Sequence, residues 1–279
     1  MDNIITTERI DAYCLSLLAD ERSAGTISKY RHDLTAFARW LDGRAVTKES
    51  ATAWKACLLN RDYAPRTVNS MLAAVNGFCR FAGLPIKLKF LSIQRQIFRD
   101  SAKELTKEEY DRLLATARES GQERLTLIME TLCATGIRVS ELRYITVEAA
   151  LAGRATITLK GKIRTILLPA KLCRKLVKYA RKQKTASGEI FLTKSGRPIT
   201  RRQVWYELKR LCKAAGVEPT KVFPHNLRHL FATTFYRASR DIVRLADMLG
   251  HSSIDTTRIY LTVSGTEQQR QLDRLGLVS

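Results

Sequence analysis

The chain has 279 residues and carries 48 Lys and Arg against 27 Asp and Glu, a formal net charge of +21. That length holds one large or two modest domains, each able to bury a core. A basic surplus of this size points to a polyanionic partner, nucleic acid ahead of membrane. The sequence has no apolar run near the roughly 20 residues that span a bilayer, which excludes a transmembrane helix. The N-terminus carries acids early and lacks a signal-peptide core. Six cysteines, none in a CxxC pair, read as small buried hydrophobes of a reducing compartment. The expectation is a cytoplasmic protein bound to nucleic acid.

In chain order, the first 84 residues predict a small bundle of four helices. Thr7 is placed to cap a helix carrying Ile10, Tyr13, Cys14 and Leu17. The stretch Ala24 to Leu41 repeats apolar residues at Tyr30, Leu34, Phe37 and Leu41, one face of a helix. Thr47 starts a third helix, with Trp54 and Leu58 inward. Pro65 starts a fourth that ends by Gly83. Residues 85–103 break the pattern and are basic, as expected of an interdomain linker with Lys87 and Lys89 near a nucleic-acid backbone. A solvated basic segment explains them equally well.

From 104 onward the chain predicts a mixed α+β domain. Thr106 and Glu109 form a capping box. An apolar helix from Arg124 to Thr135 breaks at Gly136, and a new helix follows with Arg138 and Glu141 three apart. At such spacing the plain reading is a surface ion pair worth a few tenths of a kcal/mol. ATITLKGKIRTILLP reads as a β-hairpin turning at Gly161-Lys162, with Lys160, Lys162 and Arg164 at a tip without acids. Thr200 caps a helix whose first turn holds Arg201 and Arg202, where a helix N-terminus attracts phosphate. Val204, Trp205 and Leu208 are its expected apolar face.

The densest chemistry falls between Pro224 and Tyr260. A helix expected from about Asn226 puts His225 and Arg228 on one face, with Leu227, Leu230, Phe231, Thr234 and Phe235 inward. The HxxxH spacing of His225 and His229 invites a zinc site. The metalloprotease pattern, however, requires Glu where Asn226 stands, so no metal is expected and His229 reads as structural. A second helix, Asp241 to Leu249, closes on Gly250. His251 follows at a helix C-terminus, whose dipole favours a protonated imidazole. Arginine and histidine gathered this way suit an anionic target such as a phosphate. Tyr260 reads either as a core aromatic or as a nucleophile.

HNLRH, LGHSS and TTRIY, in that order and spacing, resemble the C-terminal signature of the tyrosine recombinases, the phage integrase family. ATGIRVSEL is similar to that family's first arginine motif. The resemblance implies a mainly α fold with a small β-hairpin. A helical, SAM-like core-binding domain (1–84) and a mixed α+β catalytic domain (104–279, with a tail from 262) would close as a C-shaped clamp on DNA. It further implies that Tyr260 attacks a backbone phosphate to give a 3′-phosphotyrosyl bond, that Arg138 and Arg228 hold the phosphate, and that His225 and His251 donate hydrogen bonds. Glu141 would support them, and Lys160 would act as general acid, with Lys162 the alternative. Lys162, Arg164, Arg201, Arg202, Lys87 and Lys89 are the candidate DNA contacts.

No metal or nucleotide cofactor is implied. The implied partners are a double-stranded recombination site, a homotetramer on synapsed DNA formed from monomers in solution, and an accessory directionality factor. A type IB topoisomerase would share these residue roles, and a non-catalytic DNA-binding protein would need only the charge. One departure is Ser239, where the family often has glycine.

Overall fold

The computed structural model describes residues 3–94, 101–159, 162–251, 253–260, 269–270 and 273–275. Lys160, the expected general acid, and most of the tail from 262 lie outside them, and nothing is described of the Lys162 side chain. The chain separates into two compact units, residues 1–95 and 96–279.

The N-terminal unit is four helices: α1 (Thr7–Ala19), α2 (Ala24–Leu41), α3 (Lys48–Asn60) and α4 (Pro65–Phe81). Polar caps set their starts. Thr6, one residue before the expected Thr7, accepts from the Arg9 amide; Ser23 accepts from Thr26; Thr47 and Ser50 form a capping box. Pro65 starts α4, where its missing N–H costs nothing. Leu34, Phe37, Leu72, Val75 and Phe78 are fully buried between the helices, and Phe37 packs on Trp54 at a ring separation of 4.6 Å.

Part of the expected linker is held against this bundle. The Asn76 side chain donates to the Leu88 carbonyl (2.9 Å) and accepts from its amide (2.7 Å), and Asn69 does the same for Leu91 (2.9 and 2.7 Å). These paired bonds, with Leu88 buried, strap residues 88–91 onto α4, while the Lys87 and Lys89 side chains stay exposed.

The second unit builds its core from helices around one hairpin. Thr106 and Glu109 close a capping box ahead of α5 (Lys107–Glu119). α6 (Glu123–Thr135) is apolar nearly all round and buried, with Leu125, Ile128, Leu132 and Met129 inside. A 3-10 turn (Val139–Tyr144) stands where an α-helix was expected, and α7 (Val147–Ala152) leads into β1 (Arg154–Leu159). β1 pairs antiparallel with β2 (Lys162–Leu167), placing Ile157 opposite Arg164 and Leu159 opposite Lys162. Lys162 is therefore the first residue of β2 rather than part of the turn. The remaining helices are α8 (Ala170–Lys182), α9 (Arg201–Ala215), α10 (Pro224–Ser239), α11 (Ile242–Leu249) and α12 (Ile254–Thr257), which runs into a 3-10 turn, Arg258–Tyr260.

Four expectations are corrected here. α10 begins at Pro224, because proline suits the first helical position, so His225 lies inside the helix rather than at its entry. Thr234 is exposed and contributes nothing to the inward face. Trp205 is also exposed, with the Lys209 ammonium over its ring, while Val204 and Leu208 fill the core. The left-handed residue that ends α10 is Arg240 (φ 55°), so Ser239 keeps helical geometry and needs no glycine.

Glycine is required at Gly136. Its φ is +64°, and a Cβ there would stand 2.3 Å from the Phe231 ring. The α6–α10 packing depends on that close approach. Among the described residues no helix is long and apolar enough to cross a membrane.

Candidate active site

Arg228, Arg138, Glu141, His251 and Tyr260 converge where the 3-10 turn after Gly136, α10 and the α11–α12 turn meet. Arg228 is among the largest fully buried side chains of the protein, at 2% exposure. The second turn of α10 aims it inward. There Nη1 donates to the Gly136 carbonyl (2.6 Å), and Nη2 donates to the Leu249 carbonyl (2.8 Å) and lies 2.9 Å from His251 Nε2. Both carbonyls end a helix at a left-handed glycine, Gly136 itself or Gly250. The guanidinium thus satisfies acceptors that helix termini leave unpaired. Burial, and next the nearby Arg138, lower its pKa to about 10, with Tyr260 pulling the other way. It is still a cation at neutral pH.

Glu141 is the counter-ion. At 1% exposure it accepts from the Arg138 amide (2.7 Å) and from Arg138 Nη1 (3.1 Å), and it also accepts from Arg164 Nη2 (2.8 Å). The i,i+3 pair expected at the surface is a buried carboxylate shared by two arginines. Arg138 itself is 42% exposed along its side chain and presents its outer edge to solvent.

His251 differs from its expected protonation. Arg228 can only donate, so His251 Nε2 accepts, and Nδ1 carries the proton toward Thr257 Oγ1 at 2.9 Å. Desolvation, then Arg228, Arg138 and Arg164, push the imidazole down to about 4, so it is neutral at pH 7. Desolvation, joined by the field of three guanidiniums, outweighs the helix dipole, whose effect is at most about 2 kcal/mol. His225 is also held below its ordinary value, by desolvation and then by Arg228, Arg138 and Arg201.

A pH test follows from His251. An unfolded histidine takes up a proton near 6.5, whereas the folded one resists until about 4. Stability is thus fully present above pH 6.5 and falls as the pH drops from there toward 4. The loss attributable to His251 is up to about 3 kcal/mol. Urea melts at pH 7 and pH 4.5 should show a larger acid loss for the wild type than for His251→Gln, which cannot take up that proton. Equal losses would contradict the assignment.

Tyr260 sits 5% exposed in a small apolar cluster with Phe231, Ala232, Leu245 and Leu249. Its ring lies parallel to His251 (centroids 6.0 Å apart, 11°) and tilted against His229 (5.0 Å, 58°). Core aromatic and site residue are thus one position.

The other expected residues are placed as follows. Arg201 and Arg202 are exposed in the first turn of α9, and Lys87 and Lys89 belong to the other unit. Arg164 is turned inward to Glu141 (2.8 Å) and to the Leu249 carbonyl (2.6 Å). Thr257 and the two acceptor carbonyls were not foreseen. A signal for Thr257 existed, because it lies in the TTRIY string. Among the described residues no cluster of three or more His, Cys, Asp or Glu is arranged to hold a metal ion.

The sequence pattern of the Phage integrase family matches residues 103–267, and that of the Phage integrase N-terminal SAM-like domain matches residues 10–83. The chain is 33% identical to tyrosine recombinase XerC of Roseiflexus castenholzii over 91% of its length and 88% of that protein's. It is 30% identical to tyrosine recombinase XerA of Thermococcus kodakarensis, covering 97% of this chain and 96% of the relative. In fold it is similar to a lambda integrase tetramer bound to a Holliday junction, with a TM-score of 0.73 at 20% identity over 93% of this chain and 78% of the other. A family pattern spanning more than half of the chain, on a site where two arginines, a buried carboxylate, histidines and a tyrosine meet, leads to one conclusion: the chain belongs to the phage integrase family, the tyrosine recombinases.

Proposed function

We propose that this protein is a site-specific DNA recombinase that cuts and rejoins strands through a 3′-phosphotyrosyl intermediate. The observation that carries the reading is the packing of Tyr260 against His229 and against His251, whose Nε2 lies 2.9 Å from the buried Arg228. In the proposed step the Tyr260 oxygen attacks the phosphorus while its phenolic proton passes by way of the neutral histidines to water, the bond to the 5′ oxygen breaks, and a 5′-hydroxyl leaves. Arg138, through its exposed edge, and Arg228 hold the non-bridging oxygens and stabilise the charge that builds on them. His225 donates to the phosphate. His251 keeps the Arg228 guanidinium in plane through Nε2, with Thr257 fixing its tautomer. The leaving oxygen takes its proton from a hairpin lysine, Lys160 or Lys162. A second strand's 5′-hydroxyl then attacks the phosphotyrosine, which regenerates the phenol. The phosphoester energy is kept, so no nucleotide is consumed.

The partner in this reading is a duplex recombination site. Residues 1–84 act as the core-binding domain and 104–279 as the catalytic domain, and four copies assemble on synapsed DNA by way of a Holliday junction. Arg201, Arg202, Lys87 and Lys89 are exposed cations suited to phosphate contacts, which position the protein without reading bases. A DNA-acting protein of this charge is proposed to reside with the nucleoid.

The test is a nicked suicide duplex carrying the cognate site, selected from DNA flanking the gene, incubated with protein in EDTA. A covalent protein–DNA adduct is expected on a denaturing gel, and none with Tyr260→Phe. Specific binding without an adduct would overturn the enzymatic reading.

A further inference from the structure

Arg164 is an expected DNA contact whose guanidinium faces away from the surface. Its position on β2 follows the strand period: Ile166 and Leu168 are buried while Ile163 and Leu167 are exposed, so Arg164 shares the inward face. Nη2 donates to Glu141 Oε2 at 2.8 Å, the oxygen that also accepts from the Arg138 amide at 2.7 Å. Nη1 donates to the Leu249 carbonyl at 2.6 Å, the oxygen that also accepts from Arg228 Nη2 at 2.8 Å. One side chain therefore closes a chain of shared acceptors: Arg138, Glu141, Arg164, Leu249 carbonyl, Arg228. The approach is built into the backbone as well. A Cβ on Gly250 would lie 1.8 Å from Arg164 Nη1, so glycine there leaves room for the guanidinium.

We propose that Arg164 is a positioning residue that fixes the distance and orientation of Arg138 relative to Arg228, acting through Glu141 and the Leu249 carbonyl. This inference rests on the strand-transfer reading above. It assigns Arg164 no contact with DNA. A planar guanidinium donates to two acceptors in fixed directions, which a lysine ammonium cannot reproduce. Misplacing a phosphate-holding group by about 1 Å costs on the order of a hundredfold in rate.

The experiment measures adduct formation under single-turnover conditions with saturating full-length protein, alongside the Kd for the same DNA and its dependence on salt. Arg164→Met is expected to slow cleavage by about a hundredfold while leaving Kd within about twofold and the salt slope unchanged. Arg164→Lys, which keeps the charge but cannot reach both acceptors at once, should recover part of the rate and serves as the informative variant if Arg164→Met does not fold. Combined with Glu141→Gln, Arg164→Met should add little to the loss caused by Glu141→Gln alone, because coupled residues are non-additive. Full additivity with Glu141→Gln would overturn the inference. So would an unchanged rate at saturation together with weaker binding and a salt slope smaller by about one, the signature of a lost phosphate contact. A wild-type protein that forms no Tyr260-dependent adduct would overturn the strand-transfer reading and this inference with it, whereas equal rates in wild type and Arg164→Met overturn the inference alone.

Discussion

Replacing Arg228 with methionine is expected to reduce strand cleavage by on the order of a thousandfold while leaving the fold intact. The rate loss follows from removing a fixed cation aimed at oxygens that gain charge in the transition state, where one lost donor costs about 3–4 kcal/mol. The stability change is smaller because two effects oppose each other. The Gly136 carbonyl and His251 Nε2 lose their donor, at roughly 1–3 kcal/mol for each buried group left unmade. The protein also no longer holds a fully buried guanidinium away from water, and apolar side chains of similar volume often replace buried charges at little cost. Arg228→Lys should not restore the rate, since an ammonium cannot span both carbonyls and the histidine. Single-turnover cleavage set beside urea melts checks this. A parallel fall in both would mean that Arg228 is a structural residue.

The largest effect on stability is expected at Glu141. It is 1% exposed and accepts from both Arg138 and Arg164. Glu141→Ala leaves the half-buried Arg164 without its counter-ion, and breaking one side of a buried pair costs about 3–5 kcal/mol. Glu141→Gln loses the charge and one of the two acceptor oxygens but keeps an oxygen that can still accept from the Arg138 amide and Arg164, so its cost should be smaller. The Arg164 guanidinium is already pushed below its ordinary value by burial, with Glu141 opposing that shift, so the carboxylate is what keeps this cation tolerable inside. Denaturant midpoints of the three proteins at pH 7 provide the measurement. An Ala variant as stable as wild type would contradict the buried-counter-ion account.

Helix starts, caps and the four-helix unit were legible because they depend on local chemistry. Thr47, Pro65, Thr106 and Thr200 each name the residue that satisfies or lacks an amide. The expected start of α10 at Asn226 missed what Pro224 signals, a proline set just inside a helix. The clustering of Arg138, Glu141, Arg228, His251 and Tyr260 was legible only through motif order, since no local rule brings residues 122 positions apart into contact.

What sequence did not disclose is set by tertiary packing. The dipole argument for His251 counted one helix end and could not count the burial of the imidazole, nor the three guanidiniums converging from α10, β2 and the turn after Gly136. Arg164 lay hidden because β2 reads apolar on both faces: Ile163 and Leu167 look as buried as Ile166 and Leu168, and only one pair is. Trp205 was expected on the apolar face beside Val204 and Leu208, but α9 fills the core with Val204, Leu208 and Leu211 and leaves the indole at the surface.

The central claim is that the Tyr260 oxygen itself becomes bonded to DNA. The most direct measurement digests the purified covalent adduct with nuclease and trypsin and locates the residual nucleotide by tandem mass spectrometry. Cleavage after Arg258 and Arg270 isolates the peptide beginning Ile259-Tyr260. The account predicts the phosphonucleotide on Tyr260. Its appearance on Ser264 of the same peptide, or on any other tyrosine or serine of the chain, would contradict it.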